Sequence, residues 1–477
     1  MVSSHWSRCP TKMKRVIALV GRPNVGKSTL FNRLTRTRDA LVADEPGLTR
    51  DRRYGPLRFG SYSHILIDTG GISGEDGIDE LIAEQAYLAI EESDAVIFLV
   101  DGRAGLTSDD EAIANQVRAS GKPIYVAVNK TEGMDRDIVN SDFYSLGLGE
   151  VYACSASHGD GIGDMLDAVC ESFTESDEVQ IPETHAHGPK VAIVGRPNVG
   201  KSTLVNRLLG EERVLAFDMP GTTRDSISIP FEHHGDQFTL IDTAGVRRKS
   251  RVNDKIEKFS IVKTLQAIET SNAVILVLDA RQGISTQDAS LLGYVLDAGK
   301  ALLIAVNKWD RLPQDDKDSV KRELDRKLSF VDFASIHFIS ALHGSGVGKL
   351  MTVVSRIYKI SKTSHSTSLL TQILEDAVKS HAPPMVHGRR IKLRYAHQGG
   401  QNPPVFIIHG NQTERIPENY TRYLVNVFRK VLKIEGTPIR IEYKSSKNPY
   451  EGKRVKLTPL QAHKAKKKTR FEKKRKK

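Results

Sequence analysis

The sequence predicts an α/β protein: two consecutive domains, each a mostly parallel sheet with helices on both faces, followed by a small α+β domain. Three observations predict it. A glycine-rich segment occurs twice without change, as Gly21-Arg22-Pro23-Asn24-Val25-Gly26-Lys27-Ser28-Thr29 and as Gly195-Arg196-Pro197-Asn198-Val199-Gly200-Lys201-Ser202-Thr203. Around each copy, short apolar runs alternate with longer amphipathic stretches, the rhythm of strands covered by helices. After about Lys359 that rhythm gives way to helix, strand, strand, helix, strand.

Taken in order, the first half offers strands at about Val16–Val20, Ile65–Ile67, Ala95–Val100 and Ile124–Val128. The second half offers Val191–Val194, Phe238–Ile241, Ala273–Leu278 and Leu302–Val306. Apolar runs without polar alternation fit strands buried on both faces. Between the halves, Glu171 to Thr184 holds five acids and no bases and ends near Pro182 and Gly188-Pro189, which is linker composition. Ser and Thr cluster again around Ser361–Ser368. A helix near Leu369–Ser380 then precedes strands at Arg390–Ala396 and Val405–His409, a helix at about Glu418–Leu432, and an alternating strand from Pro438 to Tyr443. The expected organisation is a flexible extension over 1–13, a first domain over 14–174, an acidic linker over 175–188 and a second domain over 189–360. A third domain over 361–448 and a basic disordered tail over 449–477 complete it. A start at Met13 and a floppy extension explain the patternless opening equally well.

A chain of 477 residues with 39% hydrophobic and 27% charged residues is ordinary globular protein of more than one core. Its longest apolar runs are too short to cross a bilayer, and no secretion signal opens it. Three cysteines (Cys9, Cys154, Cys170) without C-x-x-C spacing argue against a disulfide framework or zinc site and favour a reducing cytoplasm. The net charge is +12, and ten bases against one acid (Glu472) lie between Lys464 and Lys477. A run so charged reads as an arm that neutralises nucleic-acid phosphates.

Each nine-residue repeat fits G-x-x-x-x-G-K-[S/T], a loop whose backbone N–H groups wrap a nucleotide's phosphates. Lys27 and Lys201 are placed to reach the β- and γ-phosphates, and Ser28 and Ser202 to ligate Mg²⁺. Asp68-Thr69-Gly70-Gly71 and Asp242-Thr243-Ala244-Gly245 each close an apolar strand at the same offset as the loops. Such an aspartate holds magnesium through water, and the N–H of Gly71 or Gly245 meets the γ-phosphate. Between these segments, Thr49 and Thr223 sit in Pro46-Gly47-Leu48-Thr49-Arg50-Asp51 and Pro220-Gly221-Thr222-Thr223-Arg224-Asp225, where a hydroxyl completes the magnesium shell only beside a γ-phosphate. Asn307-Lys308-Trp309-Asp310 matches N-K-x-D, whose carboxylate accepts from guanine N1–H and its 2-amino group, a donor pattern adenine lacks. The first copy reads Asn129-Lys130-Thr131-Glu132, with the same charge and one extra methylene. Ser155-Ala156 and Ser340-Ala341 support the base by backbone contact.

These residues resemble the GTPases of the translation-factor-related class, and most closely the bacterial Der (EngA) family of tandem-domain GTPases. The likeness extends through Asn402-Pro403-Pro404 and Gly436-Thr437-Pro438-Ile439-Arg440-Ile441. It implies GTP hydrolysis coupled to ribosomal RNA binding during assembly of the large ribosomal subunit. It also implies a KH-like third domain, although residues 361–448 contain no G-x-x-G loop and the usual four-nucleotide clamp is not predicted.

Many GTPases place a water-orienting glutamine just after D-x-x-G; here Ile72 and Val246 stand there. In similar GTPases the loop asparagine, here Asn24 or Asn198, helps bind potassium, which supplies positive charge to the transition state. Potassium-stimulated turnover is therefore expected; separately, the chain is expected to be a monomer. Two rival readings are an RNA-binding scaffold with one weakly active site and a GTPase partnering a tRNA-modifying enzyme.

Overall fold

The computed structural model describes residues 15–35, 41–42, 53–59, 62–69, 87–175, 188–211, 213–214, 228–241, 261–310, 312–386 and 389–445. The extension, most of the acidic linker and the basic tail lie outside the described residues. The chain divides into two compact units. One holds the described residues up to Thr363 together with Gly400–Pro404 and Lys433–Ile439; the other holds Ser364–Gly399, Val405–Leu432 and the chain from Arg440.

In the first lobe of the larger unit, the elements run β1 (Val16–Val20), α1 (Lys27–Thr35), β2 (Leu41–Val42), β3 (Arg53–Phe59) and β4 (Tyr62–Asp68). They continue through helical residues 87–92 (α2), β5 (Ala95–Asp101), α3 (Ser108–Ala119), β6 (Ile124–Asn129), α4 (Arg136–Phe143), β7 (Val151–Ala153) and α5 (Ile162–Glu175). The seven strands are ordered β2-β3-β4-β1-β5-β6-β7. The links β1–β4, β1–β5, β5–β6 and β6–β7 are parallel, while β2–β3 and β3–β4 are antiparallel. Every residue of β1 and β5 is buried, as uninterrupted apolar runs demand when helices cover both faces.

The second lobe repeats the plan with β8 (Lys190–Val194), α6 (Lys201–Glu211), β9 (Arg213–Val214), β10 (Ser228–His233), β11 (Asp236–Ile241), α7 (Ile261–Thr270) and β12 (Ala273–Asp279). It ends with α8 (Thr286–Ala298), β13 (Ala301–Asn307), α9 (Gln314–Lys327), β14 (Ser335–Phe338) and α10 (Gly348–Ser361). Its strand order is β14-β13-β12-β8-β11-β10-β9. The four strands expected in each half are present, and each sheet gains three more. Two of the additions, β3 and β10, contain Pro56 and Pro230, residues that argue against a strand when read locally. Both pair antiparallel toward the sheet edge, beside a strand of only two residues, where a missing N–H costs little.

The smaller unit contains α11 (Thr367–Ser380), β15 (Met385–Val386), β16 (Arg389–Arg390), β17 (Lys392–Gly400), β18 (Val405–Asn411), α12 (Glu418–Leu432) and β19 (Arg440–Ser445). Ser366 caps α11 by accepting from the Leu369 N–H, so the helix begins two residues before its expected start. Tyr420, Leu424 and Phe428 recur at helical spacing on α12, and Phe428 packs on Phe406 of β18 with ring centroids 4.9 Å apart. The three-stranded sheet β17-β18-β19 thus covers its helices with one face. The short antiparallel pairing of β15 with β16 was not expected. Among the described residues, no helix is long and apolar enough to cross a membrane.

Phe98, fully buried in the middle of β5, is a test of this core. Phe98→Ala is expected to destabilise the first lobe by about 3–5 kcal/mol through lost transfer energy and a cavity. A urea titration followed by circular dichroism measures it.

Candidate functional site

Parallel strands deliver their carboxyl ends to one edge of each sheet, and there the loops that follow β1, β6 and β7 meet. In the first lobe the phosphate loop leaves β1 at Gly21 and enters α1 at Lys27. Asn24 adopts φ 64° and Gly26 φ 103°, so the loop curls back on itself. A Cβ on Gly26 would collide with the Asn129 amide; Gly200 and Asn307 stand in the same relation. Only glycine meets both the backbone and the space requirement there.

Lys27 is 5% exposed and donates from Nζ to the carbonyls of Gly21 (2.6 Å) and Arg22 (2.8 Å). Burial pushes its ammonium down to about 8, against the attraction of Asp68. Ser28 Oγ donates to Asp68 Oδ2 at 3.0 Å, and Asp68 is fully buried at the end of β4. Two oxygen donors so close suit a hard divalent cation. Thr69 Oγ1 donates to the Leu19 carbonyl. In the second lobe, Lys201 Nζ donates to the Arg196 carbonyl at 2.6 Å. Pro23, Thr29, Ser202 and Thr203 are exposed, whereas Val25 and Val199 anchor their loops in the core.

Asn129 ties three segments together. Its Nδ2 donates to the Val25 carbonyl (2.8 Å), and its Oδ1 accepts from the Ala156 N–H (2.8 Å). Asn307 repeats this with Val199 (2.8 Å) and Ala341 (2.9 Å). Lys130 and Lys308, both at positive φ, donate to the Asn24 and Asn198 carbonyls and pair with Asp101 and Asp279 at 2.6 Å.

The lobes differ at the two positions expected to read the base, Glu132 and Asp310. Glu132 Oε1 accepts from Ser155 Oγ (2.6 Å) and Ser157 Oγ (2.8 Å), and Oε2 pairs with Arg103 at 3.0 Å. The two hydroxyls hold that carboxyl down at about 2. Asp310 faces His343 Nε2 at 3.2 Å, and Trp309 packs on Phe338 with centroids 4.1 Å apart. Thr131 Oγ1 donates to the Cys154 carbonyl, and the His343 N–H donates to Ser340 Oγ. The switch residues Thr49, Gly70, Gly71, Ile72, Thr223, Asp242, Thr243, Ala244, Gly245 and Val246 lie outside the described residues.

Two aspartates that sequence reading missed brace the phosphate loops. Arg22 Nε pairs with Asp110 Oδ2 at 3.3 Å, and Arg196 Nε with Asp288 Oδ2 at 2.8 Å. Both aspartates are buried, and each also accepts from the backbone and hydroxyl of Thr107 or Ser285 in a capping box that opens α3 or α8. The only sequence signal was that repeated box, Thr107-x-x-Asp110 and Ser285-x-x-Asp288.

The lowered Lys27 has a consequence for stability. Between about pH 8 and its ordinary 10.5 the unfolded chain holds the proton that the folded lobe releases, so this group's contribution to stability rises with pH across that window. Urea midpoints at the two ends of the window are expected to rise more for the native chain than for Lys27→Met.

A family described as 50S ribosome-binding GTPase matches residues 16–130 and 190–308, the two phosphate-loop lobes. A second, described as the KH-domain-like C-terminal part of EngA bacterial GTPase enzymes, matches residues 365–444. The "GTPase Der" of Thioalkalivibrio sulfidiphilus is 59% identical over 464 residues, covering 97% of this chain and all of that protein. Its namesakes from Hahella chejuensis and Ectopseudomonas mendocina are 56% and 57% identical, each over 95% of this chain and 96% of theirs. The chain belongs to the Der family of GTPases, GTP hydrolases built from two G domains and a KH-like domain.

Proposed function

We propose that each lobe binds and hydrolyses GTP, and that nucleotide state governs binding to ribosomal RNA during assembly of the large ribosomal subunit. The observation that carries the two-site reading is the repeated amide bridge from the phosphate loop to the base-reading segments, through Asn129 and Asn307. The match to a family described as 50S ribosome-binding supports the ribosomal part, as does the basic run from Lys464 to Lys477. We take the protein to act as a cytoplasmic monomer over its three domains, 14–174, 189–360 and 361–448.

In this reading Lys27 and Lys201 leave their loop carbonyls for the β- and γ-phosphates. The negative phosphates offset the burial that disfavours the Lys27 ammonium. Ser28, Thr49 and Asp68, and in the second lobe Ser202, Thr223 and Asp242, are the magnesium set. Magnesium held by these oxygens would supply positive charge against the phosphates. The backbone N–H groups of Gly71 and Gly245 meet the γ-phosphate. Glu132 and Asp310 accept from guanine, while Ala156 and Ala341 are already fixed by the asparagine amides.

Ile72 and Val246 have no polar atom with which to orient water. Asn24 and Asn198 are exposed on their loops, with backbone carbonyls held by Lys130 and Lys308. Their side-chain oxygens are then donors for potassium, whose charge stabilises the transition state. Glu132, already engaged by two hydroxyls and Arg103, favours a second reading in which the first lobe turns over slowly and serves mainly as a binding state.

Hydrolysis in potassium is expected to exceed that in sodium by roughly tenfold or more at equal ionic strength, with Asn198→Ala removing most of the difference. Equal rates in both salts would rule the cation role out. Lys201→Ala is expected to lower hydrolysis by about a hundredfold or more. If Lys27→Ala leaves the rate near that of the native chain yet abolishes nucleotide-dependent co-sedimentation with ribosomal subunits, the slow-first-lobe reading holds.

A further inference from the structure

The smaller unit presents a sheet face that its helices do not cover. Phe406 packs on Phe428 of α12, and the hydroxyls of Tyr443 and Thr421 share a hydrogen bond of 2.9 Å. The even-numbered residues of β18 and their partners on β19 therefore look toward the helices. The cross-strand pairs Val405–Arg440, Ile407–Glu442 and His409–Lys444 look the other way, because paired residues share a face.

On that outer face three rings gather. Tyr395 of β17 lies parallel to His409 of β18, with centroids 4.4 Å apart and planes 7° apart. His397 stacks on His409 at 5.2 Å and lies 6.2 Å from Tyr395. Burial, helped by His397 and Lys444, keeps the His409 imidazole below its ordinary range, so a neutral ring backs the tyrosine. Its Nε2 is buried and has no hydrogen-bond partner among the described residues. Tyr395 remains 41% exposed. His397 and His409 are half-buried and Ile407 on the same face is 9% exposed, so of the three rings Tyr395 offers the most surface to solvent. Among the described residues of β19, two cations, Arg440 and Lys444, share the face with one acid, Glu442.

We propose that this outer sheet face is a stacking platform for single-stranded RNA, with one or two bases laid on Tyr395 and His397 and a neighbouring phosphate on Lys444. The chemistry fits three ways. Aromatic rings accept any base through its π-face, while the flanking cation follows the backbone. Single-stranded RNA is read by such splayed bases, whereas a duplex hides them. The domain also lacks a G-x-x-G loop, so the backbone clamp usual in a KH fold is not there to hold the strand. The proposal rests on the RNA-binding reading above and deepens it by naming the surface and the kind of contact.

The test is fluorescence anisotropy of the full chain with an end-labelled, single-stranded RNA of mixed sequence, about a dozen nucleotides long. Tyr395→Ala and His397→Ala are each expected to weaken binding about tenfold, while Tyr395→Trp retains it. Tyr395→Ala should leave the slope of log affinity against log salt unchanged, whereas Lys444→Gln should reduce that slope by about 0.7. GTP hydrolysis should be unaltered in all four variants, which reports intact lobes, and circular dichroism reports the sheet. If the native chain binds no RNA in any nucleotide state, the underlying RNA-binding reading fails. If it binds and the alanine variants bind equally well, the platform is wrong while that reading survives. An equal loss with fully duplex RNA also overturns the platform, because paired bases offer no free face.

Discussion

The buried asparagine amide is the constraint from which each site is built. Asn129 and Asn307 are both 3% exposed, and each spends its donor on one loop and its acceptor on another. An amide alone carries both functions on one short side chain; a carboxylate would leave the phosphate-loop carbonyl without its donor. The requirement propagates. Gly26 and Gly200 must lack a Cβ because the amide nitrogen lies against them. Lys130 and Lys308 must turn into the left-handed region so that their ammonium groups reach the next loop carbonyl.

Duplication preserved that cradle and let its ends diverge. In both lobes a buried aspartate from a capping box braces the phosphate-loop arginine, tying the loop to α3 or α8. A buried ion pair is weak ground for stability but fixes geometry well, since either partner left alone would be a costly buried charge. Past the asparagine-lysine pair, the longer Glu132 reaches Ser155, Ser157 and Arg103, whereas Asp310 pairs with His343 at 3.2 Å. The two lobes therefore carry one loop geometry in duplicate beside two different electrostatic environments at Glu132 and Asp310.

The third domain solves another problem with the same materials. Its small sheet buries Phe406 and Ile408, Phe406 packing on Phe428 of α12, and sets tyrosine, histidine and charge beside Ile407 on the opposite face. One-sided burial is the ordinary solution for a sheet this small. A ring such as Tyr395, 41% exposed, is thereby held by its neighbours while its surface stays in solvent.

Much of this was legible in local pattern. β1 spans its expected residues, α12 spans Glu418–Leu432 as read, and each apolar run of the two lobes became a strand, wholly buried in β1, β5, β12 and β13. Those features depend on periodicity and on loop chemistry that nearby residues dictate. The strands β3 and β10 were missed because Pro56 and Pro230 hide them locally, and only a place near a sheet edge makes them tolerable. Asp110 and Asp288 were missed because a capping residue shows its helix in sequence, but not the arginine that folding brings to it from far along the chain. The sequence by itself determined the two glycine-rich loops, their strands and the Asn-Lys segments at 129–132 and 307–310, because each is a contiguous signal. Tertiary structure alone decided which carboxylates brace them, which hydroxyls occupy Glu132 and which rings share the outer sheet face, because those contacts join residues that only packing brings together.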